Sequence, residues 1–192
     1  MPSPSHRSAP AWPSRVIDGL NDADRRASAL ARGLSVEQLN WRSSPHRWSI
    51  GQCLDHLLVS NEVYLGPISR ALDGRASSPV DETRPGLVGR LFIRTFIEPS
   101  TQRLRGRAPR KIKPARQVAS DTLDRFLRSN DLARALVRRA SAYDVNRIRF
   151  VNPFVPLLRF NVATGIEVLW RHQHRHLLQA ERVRRLEGFP EQ

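Results

Sequence analysis

The apolar residues of this chain recur at helical spacing in four separate stretches, and that periodicity limits the fold more than any other feature. From Ser14, the positions Val16, Leu20, Ala23, Ala27, Leu30 and Leu34 advance by alternating steps of four and three, one stripe of an amphipathic helix. Ile50, Leu54, Leu57, Asn61, Tyr64, Ile68 and Leu72 repeat the pattern over about residues 50–72, with Pro67 as a point of kinking and Asp73-Gly74 as a stop. A third helix is predicted over about 117–140, turning Ala119, Leu123, Phe126, Leu127, Ala133, Leu136, Val137 and Ala140 inward. A fourth spans about 162–186, ahead of Gly188-Phe189-Pro190.

Cap residues support these boundaries. Ser35 with Gln38 and Ser49 with Gln52 have the spacing of capping boxes, and Asn161 can cap the fourth long helix. Trp48 and Cys53 flank the second cap as a hydrophobic staple. Between the helices, residues 73–86 read as a Gly/Ser/Pro loop and Leu87–Ile97 as a short amphipathic segment with Phe92 and Phe96 in the core. Residues 141–160 are irregular, with a short extended piece near 147–151. Four long helices without an internal repeat predict an all-α four-helix bundle over residues 14–188, behind a loose tail at 1–13. The long connection between the second and third long helices leaves room for a crossover.

Charge and composition narrow the function. The 32 basic residues against 18 acidic give a net charge of +14, which fits a nucleic-acid or membrane-surface binder. Only Lys111 and Lys113 are lysines, a bias that coding composition alone can produce. The run from Arg90 to Arg116 holds nine basic residues against Glu98, but lacks the interleaved aromatics of a nucleic-acid platform. The longest stretch without a charged side chain, Phe150–Leu158, is too short to span a bilayer. The first residues lack the apolar segment of a secretory signal, and the lone Cys53 excludes an intrachain disulfide, so a cytoplasmic location is expected. There is no phosphate-binding glycine loop and no context for a Ser-His-Asp triad.

The histidines carry the chemistry. His172 and His176 are four apart, so they stack on one face of the last helix, in line with Leu169, Ala180 and Val183. His174 points away. Two imidazoles on a core-facing stripe need partners, and a divalent metal supplies one for both. His56, beside the apolar stripe of the second long helix, is available as a third ligand. Three histidines leave an open coordination position, the catalytic rather than the structural pattern.

Two motifs resemble a known family. Trp48-Ser-Ile-Gly-Gln-Cys-Leu-Asp-His56-Leu is similar to the W-S-x-x-[EQ]-x-L-x-H-L motif of the DinB-like superfamily. Arg171-His172-Gln-His-Arg-His176-Leu-Leu-Gln-Ala resembles its closing helix, with H-x-x-x-H followed by L-x-Q-A. The resemblance covers most of residues 14–186. It implies a four-helix bundle with a divalent metal, zinc or nickel foremost, held by His56, His172 and His176. It also implies a small-molecule substrate, a homodimer as a frequent assembly, and reactions such as S-transfer from low-molecular-weight thiols (bacillithiol, mycothiol) or hydrolysis.

On this reading Gln52, Asn61 and Arg175 are candidates for supporting the ligands or contacting substrate, Gln52 also serving as the cap partner and Arg175 suiting an anionic group. Asp55 and Glu62 are expected to face solvent, Gln179 to be a surface amide, and Trp48, Trp170 and Tyr64 to anchor packing. The competing readings are a basic bundle that binds nucleic acid or another polyanion through the 90–116 segment, and a metal-free scaffold.

Overall fold

A computed structural model describes residues 11–98 and 108–191. Four long helices dominate: α1 (Ala11–Ala31), α3 (Ile50–Leu72), α5 (Thr122–Ala140) and α6 (Val162–Arg184). Short elements join them. These are α2 (Val36–Asn40), α4 (Leu87–Phe92) continued by a π turn (Ile93–Ile97), a 3-10 turn (Arg110–Ile112), and an antiparallel hairpin of β1 (Arg149–Val151) and β2 (Arg159–Asn161). No described helix is long and apolar enough to cross a membrane.

Each long helix packs against two others and lies diagonal to the third. The neighbouring pairs are α3 with α5 and α6, and α1 with α5 and α6. The core residues give the directions. Trp12 and Val16 of α1 cluster with Ile68 and Leu72 of α3, Ala140 of α5 and Ala163 and Ile166 of α6. Ala27 and Ala31 cluster instead with Ile50 and Leu54, Leu123, and Ala180 and Val183. So α1 and α6 run one way, and α3 and α5 the other. Because α3 and α5 are parallel neighbours, the chain must return along the bundle between them, which is why the connection from Asp73 to Asp121 is long.

The periodic stripes hold with local shifts. All seven positions read for α3 are buried, and both predicted capping boxes form, as does the Asn161 cap. Gly188 has a positive φ of 79° just beyond α6, a conformation that suits glycine. α1 already covers Ala11–Pro13, ahead of the expected Ser14, and there Trp12 is buried in the core with its indole donating to the Val80 carbonyl. Residues 1–10 of the expected tail lie outside the described residues. α5 starts at Thr122 rather than 117. Ala119 is therefore exposed, and Val118, held by Asn40 through both its backbone groups, is buried instead. Phe96 is exposed rather than in the core, and Phe92 is half-buried against Phe160.

Between the two apolar clusters lies a layer of buried polar groups. Asn61 Nδ2 donates to Ser129 Oγ and Asn130 Oδ1, both at 2.9 Å. Asn130 and Gln173 exchange amide hydrogen bonds at 2.7 and 3.0 Å, and Asn130 also donates to Asp24 at 2.6 Å. Asp24 is in turn paired with Arg134. Every long helix contributes to this layer, so sliding any one of them along the bundle breaks its bonds.

Candidate metal centre

The three candidate ligands meet where α3 and α6 face each other. His56 lies in the second turn of α3, placed by the Ser49 capping box that starts the helix. His172 and His176 lie one turn apart on the facing side of α6. One donor nitrogen from each ring falls within 4.8 Å of the others. His56 Nε2 is 3.2 Å from His172 Nε2. With metal–nitrogen bonds of about 2.0–2.1 Å, ligand nitrogens in a tetrahedral site are about 3.3 Å apart, so this edge already has the required length.

The outward nitrogens fix the tautomers. His56 Nδ1 lies 2.5 Å from the Ile112 carbonyl, to which it donates. Its Nε2 therefore turns a lone pair into the cluster. His176 Nδ1 donates to Gln179 Oε1 at 3.1 Å, which frees its Nε2 in the same way. His56 and His176 are buried and His172 is half-buried. Burial pushes all three imidazoles below their ordinary value, His172 and His176 well below. The neighbouring rings and the Arg175 guanidinium push the latter two further in the same direction. The site thus holds neutral imidazoles at neutral pH, the form that binds a divalent ion.

The walls come from elements distant in sequence. The Trp48 indole stacks on His176, with centroids 5.6 Å apart and 28° between planes, and tilts against His56 at 4.8 Å. The segment after the 3-10 turn closes another side. Gln52 Nε2 donates to the Ala115 and Arg116 carbonyls, and Asp55 accepts from the Ala115 amide at 2.8 Å. Asp55 is therefore buried rather than facing solvent, whereas Glu62 is exposed as expected. Arg175 donates to the Phe96 and Glu98 carbonyls, tying the π turn to α6.

The candidate supporting residues thus divide. Gln52 is a cap partner and also clamps the segment that feeds Ile112 to His56. Arg175 lies close enough to bias two of the rings. Asn61 belongs to the four-helix polar layer. His174 is exposed and contacts Arg26. Sequence reasoning missed three contributors: Gln179, Ile112 through its carbonyl, and Trp48 as the wall on two ligands. The position of Gln179 three residues after His176 was the available signal for the first.

A sequence model of the DinB superfamily matches residues 20–180. The chain belongs to the DinB superfamily. No curated protein and no solved structure matches it. Membership in the DinB superfamily and the buried three-histidine cluster both fit a divalent-metal-binding protein.

Proposed function

We infer that this DinB-superfamily protein is a metal-dependent enzyme whose three-histidine site activates a thiol or a water molecule against a small electrophilic substrate, as an S-transferase or a hydrolase. The observation that carries the reading is the pair of hydrogen bonds from His56 Nδ1 to Ile112 and from His176 Nδ1 to Gln179, which leave the Nε2 lone pairs of both rings free in a cluster whose donor nitrogens lie within 4.8 Å of one another. A divalent ion, zinc or nickel foremost, would be held by His56, His172 and His176 and would supply Lewis-acid chemistry that lowers the pKa of a thiol or water.

The chain's own residues then set the conditions. His56, His172 and His176 provide a neutral donor set, so the ion keeps its full charge. Trp48 covers two of the rings and limits water around them. Arg175 places a cation beside His172 and His176, which favours an anionic group on the substrate or thiol.

Cobalt substitution tests the reading. The cobalt-loaded protein should show a visible spectrum that changes on adding a low-molecular-weight thiol and reverts on its removal, with a weaker response in Arg175→Gln when the thiol carries a carboxylate. A cobalt spectrum indifferent to thiols, to hydroxide and to small anions alike would mean the site has no exchangeable position.

A further inference from the structure

α4 and the π turn carry apolar residues on more than one side, yet among the described residues only one side is covered. The inner residues Gly89, Ile93 and Ile97 are buried against the bundle. Gly89 is where α4 meets the first turn of α6, since a Cβ there would overlap Thr164 Oγ1. Phe92 anchors the segment on Phe160, at 5.2 Å between centroids. This docking leaves Leu87, Val88, Leu91 and Phe96 outward, 77%, 53%, 57% and 56% exposed. Leu87 with Leu91, and Val88 with Leu91, are neighbours at helical spacing, so the aliphatic side chains form one row. Arg90 and Arg94, one turn apart, line one edge of it and are exposed. A short helix that buries one apolar side and presents another, edged by arginines, has the composition of an element lying in a lipid–water interface.

Charge selects the occupant. From Arg84 to Arg116 the only acidic residue is Glu98, and Arg171 already pairs with it. Two copies of the chain meeting through this face would bring arginine against arginine. A nucleic acid would satisfy Arg90 and Arg94 but leave the aliphatic row unburied. An anionic bilayer meets both demands, taking the aliphatic side chains among its acyl chains and the guanidinium groups among its headgroups. We propose that the outer face of α4, formed by Leu87, Val88 and Leu91 with Arg90 and Arg94 along one edge, docks the protein peripherally on anionic lipid membranes.

Sedimentation with vesicles tests this. The full chain should pellet with vesicles of equal phosphatidylcholine and phosphatidylglycerol, pellet far less with phosphatidylcholine alone, and release as salt rises. Leu91→Glu should lower partitioning about tenfold or more, as expected when one buried leucine is lost. Arg90→Gln and Arg94→Gln should each lower it about fivefold. Leu157→Glu alters a fully exposed leucine on the β1–β2 hairpin and should leave partitioning unchanged. All these positions are exposed, so far-UV circular dichroism should match the parent in every variant. No pelleting with anionic vesicles, equal loss in Leu91→Glu and Leu157→Glu, or a concentration-dependent dimer that Leu91→Glu abolishes without any vesicle binding would each overturn the proposal.

Discussion

Asn130 is fully buried and bonds to three of its partners through one amide, so its truncation measures what the polar layer contributes. In Asn130→Ala the Gln173 carbonyl loses its donor, and the Gln173 amide keeps only a 3.4 Å contact with Asn61. One Asn61 N–H loses its acceptor, while the other still reaches Ser129. Asp24 is partly exposed and keeps Arg134, so it adds little. Two buried groups orphaned at about 1–3 kcal/mol each give an expected loss of about 2–6 kcal/mol. Ser129→Ala removes a single acceptor from Asn61 and should cost about 1 kcal/mol. Asn130→Asp keeps the shape but sets a second carboxylate against Asp24, so it should be no milder than the alanine. Urea unfolding followed by far-UV circular dichroism gives the values, provided the slopes stay equal. An Asn130→Ala loss no larger than that of Ser129→Ala would refute the idea that this layer fixes the alignment of the four helices.

Three further outcomes follow from the same geometry. Glu167 is buried against Arg15, Thr83 and Arg171, and although burial alone would raise its carboxyl, these donors hold it at about 2 against an ordinary 4.5. A depressed carboxyl contributes stability that is present above its unfolded value and lost as pH falls towards the folded one. The stability gap between wild type and Glu167→Gln should thus be about 3 kcal/mol at neutral pH and shrink from about pH 4.5 towards pH 2; a gap that does not change with pH would assign the effect to packing. Gly89→Ala should destabilise by about 1–3 kcal/mol, because the added methyl overlaps Thr164 Oγ1; unchanged urea midpoints would show that α4 is not held closely against α6. Gln179→Leu leaves His176 Nδ1 without its acceptor and should weaken zinc affinity about 10–100-fold in competition with a chromophoric chelator, whereas an unchanged affinity would remove Gln179 from the site.

Much of this architecture is legible in the sequence because the long helices carry their own signals. The α3 stripe, both capping boxes and the Asn161 cap are local patterns, and local patterns survive folding. The spacing of His172 and His176 places two rings on one face without further information. What escapes is set by contacts between distant segments. The start of α5 shifts because Asn40 captures Val118 across the fold. Asp55 reads as a solvent-facing acid until the Ala115 amide is seen to reach it. The carbonyl that orients His56 belongs to Ile112, and a backbone acceptor leaves no trace in residue identity. Phe96 fails in the opposite way: an aromatic residue in an amphipathic stretch reads as core, yet in the π turn the bundle covers only the side of Ile93 and Ile97, and Phe96 is exposed.

His56, His172 and His176 are expected to hold one divalent ion together. Elemental analysis of the untagged protein after dialysis tests it most directly, with single alanine variants of the three histidines and of the exposed His174 measured alongside. About one zinc or nickel ion per chain is expected, lost in His56→Ala, His172→Ala and His176→Ala and kept in His174→Ala. No ion above background even after soaking with both metals, or an ion retained when His56 and His172 are replaced, would contradict it.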